Sequence, residues 1–297
     1  MCLKPSRSAS AGKALLWPAA LCLALLVSAL PVRAAGVPRL FAPLVAELTQ
    51  RGVPRAQATR LLRDPRLRFE GRLLARLLAT PEHRLDYAQF LSPASLKRAR
   101  RFLATHRRHL RRIQRRTGVP PGVVVAILAV ESRLGAYQGR WRVFNVLASQ
   151  AVLDTTAGRR ALTRFWPARR RRELDRPATR RRLARRAAWA RDELAALIRL
   201  AQQHRLSPYA YRGSAAGALG MCQFVPSSVL KHAADGDRDG RIDLARPPDA
   251  MASVARYLAA HGWRPGLSRA QQEQVLMSYN RSRPYVRTVL ALARRLK

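Results

Sequence analysis

The sequence predicts an all-α protein, and three observations support this prediction. Apolar residues recur at helical spacing in successive segments of the chain. Several of these segments follow a proline or a serine, which are residues that begin helices. No alternating apolar and polar pattern of useful length, typical of a β-strand, is present. With 297 residues, 48% of them hydrophobic, the chain can bury the core of one large or two small domains.

The first 34 residues have the features of a secretory leader. Lys4, Arg7 and Lys13 precede an apolar run from Ala14 to Leu30, and Ala34 ends a segment suited to signal peptidase. We therefore predict a signal peptide over 1–34 and a protein that is secreted across the inner membrane into the periplasm. Retention of the leader as a membrane anchor is the alternative, because the apolar run is near the minimum that spans a bilayer.

The charge of the chain is strongly positive. The sequence has 57 Lys and Arg against 17 Asp and Glu, and 53 against 17 remain without the leader, a net charge of +36. Such a charge predicts attraction to polyanions without choosing among them. Secretion argues against nucleic acid as the partner. Cys222 is the single cysteine beyond the leader, and its apolar neighbours indicate a packed thiol.

The region 35–117 is predicted to form an N-terminal helical part. Apolar residues at helical spacing occur from Leu40 to Gln50 and from Gln57 to Leu62, and Asp64-Pro65 then breaks the helix. Ser92 and Pro93 begin a long helix that is predicted to continue through Arg116.

The stretch from Gly118 to Gly135 is the most informative part of the chain. Pro120-Pro121 begins a helix in which eight consecutive residues, Val123 to Val130, are apolar, so this helix should be buried. Glu131 follows directly. A carboxyl at the inner end of a core helix should have a raised pKa, as a general acid requires near neutral pH. The alternative is a carboxylate that emerges at the helix end and pairs with an arginine, such as Arg133 or Arg142.

The next segments are a short predicted core helix over Leu147 to Leu153 and an insertion rich in arginine. Residues 159–191, here called the arginine segment, contain fourteen arginines and two carboxylates, a net charge of +12. A solvated helix face or a mobile insertion is the usual reason for such a run, and an electrostatic site for an anionic polymer is the alternative. Trp166, Leu183 and Trp189 indicate that part of the segment packs.

The loop from Asp235 to Asp249 contains five of the 17 acidic residues. Acidic side chains stand at loop positions 1, 3 and 5, glycine at position 6 and an apolar residue at position 8, which is the spacing of an EF-hand calcium loop. Position 12 is Arg246 in place of the usual glutamate, and Asp249 is the best substitute. A solvated Asp-Gly turn is the alternative. Downstream, Gln271 to Met277 and Pro284 to Leu296 are predicted helices.

Several motifs together resemble the lytic murein transglycosylase B family of glycoside hydrolases. They occur in the family's order and span most of Phe41 to Leu296. The resemblance implies a lysozyme-like all-α catalytic core over 35–297 with an additional N-terminal helical region and a calcium loop at 235–249. The motifs are VESRLG at 130–135, GSAAGALG at 213–220, QFVPSS at 223–228, the loop 235–249, RYL at 256–258, HGW at 261–263, and Tyr279-Asn280.

The resemblance also implies an activity and the residues that perform it. The family cleaves the MurNAc–GlcNAc β-1,4 bond of peptidoglycan without water and leaves a 1,6-anhydro sugar. Glu131 is then the catalytic acid and base, and calcium is a structural ion, with no organic cofactor. The implied substrate-binding residues are Ser214, Gln223, Tyr279, Asn280 and Tyr285, and the implied calcium ligands are Asp235, Asp237, Asp239, the Arg241 carbonyl and Asp249.

Three other functions remain open from the sequence. A muramidase would cleave the same bond with water, although Glu131 has no carboxylate neighbour in sequence between Asp86 and Asp154. A non-catalytic peptidoglycan-binding protein would retain Glu131 without turnover, and a basic nucleic-acid binder lacks support from any reading motif. The expected partners are peptidoglycan strands, with other anionic envelope polymers at the arginine segment, and the expected state is a monomer.

Overall fold

The computed structural model describes residues 36–79 and 86–296. The predicted leader, with Cys2 and Cys22, lies outside the described residues. Residues 35–297 form one compact unit. Among the described residues, no helix combines the length and the apolar character that crossing a bilayer requires.

The described part of the chain confirms the predicted all-α class. Thirteen α-helices, α1 to α13, account for most of it, and three short 3-10 helices lie at 87–91, 168–175 and 208–210. The helices are α1 Pro43–Gln50, α2 Arg55–Leu62, α3 Gly71–Ala79, α4 Pro93–Thr105, α5 Arg107–Thr117, α6 Pro121–Ser132, α7 Val143–Ala151, α8 Thr156–Thr163, α9 Pro177–Gln203, α10 Pro226–His232, α11 Pro247–Ala260, α12 Arg269–Tyr279 and α13 Arg283–Arg294.

The long helix predicted from Ser92 through Arg116 is two helices. Ser92 caps α4 as expected, because its hydroxyl accepts a hydrogen bond from the backbone N–H of Ser95. The chain then leaves helical geometry at His106, whose φ and ψ are −102° and 17°. The His106 ring packs against Phe102 at 4.4 Å between centroids, so the break is held by a local side-chain contact. Helix α5 ends at Gly118 in the left-handed conformation, as glycine allows.

Helix α6 is the centre of the main hydrophobic core. Its residues from Val123 to Ala129 are all buried, and α4, α5, α11 and α13 pack around it. A helix that is apolar on every face needs this enclosure, since any exposed face would place apolar surface in water. The prediction that this helix is buried is therefore confirmed.

A small β region lies beside the helices. Strand β1, Trp141–Arg142, pairs antiparallel with strand β2, Arg212–Gly213. Single bridges then connect Gly213 to Leu219 and Leu219 to Phe224. Two-residue strands of this kind give no alternating sequence pattern, so the sequence does not reveal them.

The small residues of the 213–220 segment serve close backbone packing. A Cβ atom at Gly213 would lie 2.1 Å from the carbonyl oxygen of Ala218, and one at Gly220 would lie 2.4 Å from the Cβ of Leu244. Glycine is therefore required for this loop to fold against itself and against Leu244.

Candidate active site

Glu131 lies in the last turn of α6, where the backbone geometry is unusual. Arg133, Leu134 and Gly135 follow with φ of 52°, 62° and 92°, a run of three left-handed residues. Non-glycine residues rarely adopt this conformation. The Ser132 hydroxyl supports the turn, since it donates to Leu128 O and accepts from the N–H of Gly135 at 3.0 Å. The sharp helix end fixes where Glu131 points.

The environment of the Glu131 carboxyl favours the protonated form. Burial raises the pKa of Glu131 to about 7, and the nearby Tyr285 hydroxyl lowers this pKa by a smaller amount. The residue keeps partial exposure to solvent. Within residues 36–79 and 86–296, no salt bridge involves Glu131, and Arg133 instead donates to the side chain of Gln89 at 2.9 Å. The alternative of an arginine-paired surface carboxylate therefore does not describe this residue.

Tyr285 and Tyr279 lie near Glu131 on the facing side of the site. The negative charge of Glu131 contributes to raising the pKa of both phenols, after burial as the largest cause. The two rings are parallel, with 6.4 Å between centroids and 10° between planes. The Tyr279 hydroxyl donates to the backbone carbonyl of Cys222 at 2.6 Å. This bond joins the end of α12 to the segment that carries Gln223.

The Tyr285 hydroxyl is buried and forms no hydrogen bond of ordinary geometry with the described residues. Most buried hydroxyls have a partner, because an unpartnered one costs about 1–3 kcal/mol. The Tyr285 hydroxyl faces the Glu131 carboxyl closely enough for each group to shift the pKa of the other, so its hydrogen-bonding capacity is directed at this carboxyl. Such a group is available to a molecule bound against Glu131.

Tyr285→Phe is expected to change the free energy of unfolding by less than about 1 kcal/mol, since the hydroxyl it removes forms no hydrogen bond of ordinary geometry with the described residues. Tyr209→Phe is the matched control, because the Tyr209 hydroxyl donates to Leu61 O at 2.8 Å and its loss should destabilise the protein. Chemical denaturation of both variants measures the difference. A loss of stability in Tyr285→Phe as large as that in Tyr209→Phe would show that the Tyr285 hydroxyl forms a full hydrogen bond in the native state.

The other predicted substrate residues lie outside the helices, in loops or at a helix end. Gln223 adopts φ of 50° and donates from its side-chain amide to Gly220 O at 2.8 Å. The Ser214 hydroxyl accepts from the N–H of Ala218 at 3.1 Å within the turn between β2 and Leu219. Asn280 is the C-terminal cap residue of α12 and is half-buried. The structure thus brings Tyr279 and Tyr285 to Glu131 directly. Gln223 and Asn280 follow Cys222 and Tyr279 in sequence, and Ser214 lies in a separate turn next to the bridged residue Gly213.

Three further aromatic residues make contacts at the site that the sequence alone did not reveal. Tyr87, in the 3-10 helix at 87–91, is close enough to Tyr285 to raise its pKa. Tyr257 packs edge to face on Tyr279 at 4.9 Å, and Phe224 lies 5.8 Å from Tyr279. Tyr87 lies 44 positions before Glu131 in the sequence, and its neighbours carry no local signal of this contact.

Cys222 is a packed thiol, as its neighbours predict. It is fully buried, and burial raises the pKa of the thiol to about 12. A thiol with so high a pKa carries almost no thiolate at neutral pH and is not a nucleophile.

The loop 235–249 brings together Asp235, Asp237 and Asp239, whose carboxylate oxygens lie within 4.8 Å of one another. Asp249 lies outside this group and is buried; its two oxygens accept the N–H of Gly236 at 2.8 Å and of Asp243 at 2.7 Å. Asp249 therefore connects the beginning and the later part of the loop through hydrogen bonds to Gly236 and Asp243.

Arg246 supplies a positive charge to the same carboxylates. Its guanidinium pairs with Asp239 at 2.8 Å and with Asp237 at 3.2 Å. The second oxygen of Asp237, Oδ1, is buried without a hydrogen-bond partner among the described residues. The loop thus contains an internal cation and an oxygen that is free to bind a metal ion.

The fold and the site define a lysozyme-like all-α protein with one largely desolvated carboxyl of raised pKa at the end of its central helix. Comparison with known proteins places it further. The family model described as a transglycosylase SLT domain matches residues 38–272, and the chain belongs to this family.

Particular relatives agree with this assignment. The membrane-bound lytic murein transglycosylase B of Escherichia coli (strain K12) is 32% identical over 178 residues, which are 60% of this chain. The matched part is 41% of that relative's length, so this chain spans well under half of it. The soluble lytic transglycosylase SltB1 of Pseudomonas aeruginosa has 26% identity and a TM-score of 0.67, covering 87% of this chain and 98% of that one.

A further solved structure, the Escherichia coli lytic transglycosylase Slt35 in complex with calcium, superimposes with a TM-score of 0.65 at 22% identity and covers 87% of this chain and 92% of that one. At this identity the likeness concerns the fold. These structures confirm the predicted lysozyme-like class and the resemblance from which it came.

Proposed function

We propose that this protein is a lytic transglycosylase that cleaves the MurNAc–GlcNAc β-1,4 bond of peptidoglycan and leaves 1,6-anhydro-MurNAc ends. The observation that supports this most is the isolation of Glu131. Among the described residues, no second carboxylate contributes to its pKa, and a two-carboxylate glycosidase needs one about 5–9 Å away.

The proposed reaction uses one carboxyl twice. Protonated Glu131 donates its proton to the glycosidic oxygen, and the bond from that oxygen to C1 of MurNAc breaks. The resulting carboxylate then takes the proton of the sugar's own 6-hydroxyl, whose oxygen bonds to C1 and closes the anhydro ring. Glu131 is protonated again, and no water is consumed. The intramolecular attack benefits from a high effective concentration, and the substrate's N-acetyl group helps to stabilise the cationic transition state.

Mass spectrometry of digested peptidoglycan tests this proposal. The expected muropeptides are lighter by one water than those of a muramidase, which adds water across the same bond. Release of reducing muropeptides alone would assign the protein to the muramidases. A protein that sediments with sacculi but releases nothing soluble would be a non-catalytic wall-binding protein.

The proposed substrate groove is formed by Ser214, Gln223, Tyr279, Asn280 and Tyr285. Tyrosine rings stack on sugar faces, and side-chain amides bond sugar hydroxyls. The interaction of Tyr279 and Tyr285 with Glu131 supports this role for the two tyrosines. A relative, SltB3 of Pseudomonas aeruginosa, was crystallised with a NAG-NAM-pentapeptide. We further propose that the protein acts in the periplasm, which peptidoglycan as substrate requires.

Calcium is the proposed structural ion of the loop 235–249, held by Asp235, Asp237, Asp239 and the Arg241 carbonyl, with Asp249 closing the loop. The three converging carboxylates and the unpartnered Oδ1 of Asp237 support this fit. Such an oxygen-only set suits calcium better than magnesium, whose octahedral geometry is strict. The ion would order the loop, and the proposed chemistry at Glu131 does not require it.

Calcium is expected to raise the thermal unfolding midpoint, because an ion bound to the native state alone stabilises it by about 2.7 kcal/mol at a hundredfold excess over Kd. Melting curves in EGTA, magnesium and millimolar calcium measure the effect, and Asp237→Ala should abolish it. An unchanged midpoint in all three conditions for the wild type would indicate that the loop is a solvated turn.

Arg246 should weaken calcium binding, because its guanidinium pairs with two of the proposed ligands. Arg246→Gln is expected to tighten the calcium Kd by about tenfold, since two exposed ion pairs of this kind are each worth up to about 1 kcal/mol. Arg241→Gln is the control, because it removes the same charge from a loop residue whose side chain forms no salt bridge among the described residues and retains the proposed carbonyl ligand. Isothermal titration measures both affinities, and equal changes in the two variants would mean that net charge alone is responsible.

A further inference from the structure

The arginine segment is folded around a small hydrophobic core of its own. Trp166 is 4% exposed, and Leu174 and Leu183 are 1% exposed. They pack with residues of α3 and α8, apart from the main core. The Trp166 indole N–H donates to Arg170 O at 3.1 Å. The segment is therefore a folded part of the protein, and its arginines project from a packed core.

A cavity of about 430 Å³ opens on this segment. Asp175 is the one carboxylate that lines it among the described residues. Two threonine side chains add hydroxyl groups to the wall. The arginine and threonine residues that line the cavity are Arg159, Arg160, Arg164, Arg171, Thr156 and Thr163.

The arginines of this cavity are largely without counter-charges. Arg159 donates to Asp154 O at 2.5 Å, which leaves its positive charge uncompensated. Within the described ranges, Arg160, Arg164 and Arg171 form no salt bridge and are exposed. The planar guanidinium fork matches phosphate oxygens in bidentate geometry. An anion with several oxygens would relieve the repulsion among these charges.

An exposed aromatic ring directly follows this cluster. Phe165 is 40% exposed, although it lies against Gly71, where a Cβ atom would be 2.2 Å from the ring. The ring is thus held in place while part of it faces solvent. Aromatic rings beside basic residues are typical of proteins that bind at the surface of a bilayer, where the ring enters the interface and the cations contact phosphates.

We propose that the arginine segment is a docking surface for a membrane that contains anionic phospholipid. The lipid phosphate binds among Arg160, Arg164 and Arg171, and Phe165 enters the headgroup region. Three observations favour a membrane over a soluble polymer. The arginines stand on a folded segment, the cavity has too few carboxylates to balance them, and the Phe165 ring is exposed beside them. Docking would hold the protein beside the membrane independently of its leader and of the reaction at Glu131.

Vesicle co-sedimentation tests the proposal with residues 35–297, the compact unit. Vesicles of phosphatidylcholine with phosphatidylglycerol are compared with vesicles of phosphatidylcholine alone. The triple variant R160Q/R164Q/R171Q should bind the anionic vesicles about 100-fold more weakly, at about 1 kcal/mol per arginine near an anionic surface. The control R108Q/R112Q/R115Q, which loses the same charge from exposed positions of α5, should change by less than about threefold. Phe165→Ser should weaken binding about threefold to tenfold.

Three results would overturn the proposal. The first is equal binding of the wild type to both kinds of vesicle, and the second is an equal loss in the two triple variants. The third is binding to soluble inorganic polyphosphate that matches vesicle binding in strength and in its sensitivity to R160Q/R164Q/R171Q, which would assign the surface to a soluble polymer. Because Glu131→Gln should dock normally, failure of docking is distinct from failure of the proposed reaction.

Discussion

Glu131→Gln is expected to lower turnover of peptidoglycan by about 10²–10⁴-fold, the usual contribution of general acid–base catalysis. The amide retains the shape of the side chain but cannot deliver a proton to the leaving oxygen or accept one from the 6-hydroxyl. Because a single carboxyl is proposed for both steps, the loss should lie in kcat, with binding to sacculi preserved.

The matched control is Glu273→Gln, the same chemical change at an exposed residue of α12 that pairs with Arg269 at 2.6 Å. It should retain wild-type turnover. Release of soluble muropeptides measures the rate, and sedimentation with sacculi measures binding. Retention of more than about a tenth of wild-type activity in Glu131→Gln would mean that another residue carries the proton.

The pH dependence of activity should show the raised pKa of Glu131. The carboxyl must be protonated to act as the acid, so kcat/KM should fall as pH rises above about 7, approaching tenfold per pH unit. A glutamate in water, with its ordinary pKa of 4.5, would place this decline near pH 4.5. A rate profile from pH 5 to pH 9 distinguishes these outcomes, and activity already in decline at pH 5 would contradict the proposed environment.

The same pKa makes a prediction about stability. Between 4.5 and about 7 the native state binds more protons than the unfolded state, so the stabilising contribution of the neutral carboxyl is present at low pH and is lost as pH rises through 7. Wild type should therefore lose about 1–3 kcal/mol more than Glu131→Gln between pH 5 and pH 9, allowing for its partial exposure. Parallel denaturation of the two proteins isolates this difference, because all other groups titrate in both. Equal pH dependence would contradict it.

Arg246 and the arginine segment are two features in which this chain departs from the pattern that its motifs predict. In the loop 235–249, the guanidinium of Arg246 stands at the position where an EF-hand has a bidentate glutamate, and it pairs with the carboxylates of Asp237 and Asp239. In the arginine segment, the presence of Trp166 and Leu183 in a separate core excludes an unfolded insertion. Arg246 pairs with two of the expected metal ligands, whereas the arginine segment forms a basic surface outside the candidate active site.

The sequence by itself determined the all-α class, the buried helix α6, the position of Glu131 and the spacing of the acidic loop. These features depend on residues close together in the chain: an unbroken apolar run must be buried, a carboxyl that ends it must be partly desolvated, and alternate aspartates in a Gly-containing loop converge. Local caps such as Ser92 and Gly118 were also predictable, because they act within one turn of helix.

Only the tertiary structure decided the contacts between distant segments. The Tyr285 hydroxyl beside Glu131, the approach of Tyr87 to Tyr285 and the bond from Tyr279 to Cys222 O join residues 57 to 198 positions apart, and no local pattern encodes which of many aromatic side chains will meet. The break at His106 was likewise missed, because helical periodicity continues across it and a contact with Phe102 holds it. Long-range packing selects among arrangements that local propensity leaves equal in energy. For that reason the contacts around Glu131 could be identified only from the structure, whereas Glu131 itself could be identified from the sequence.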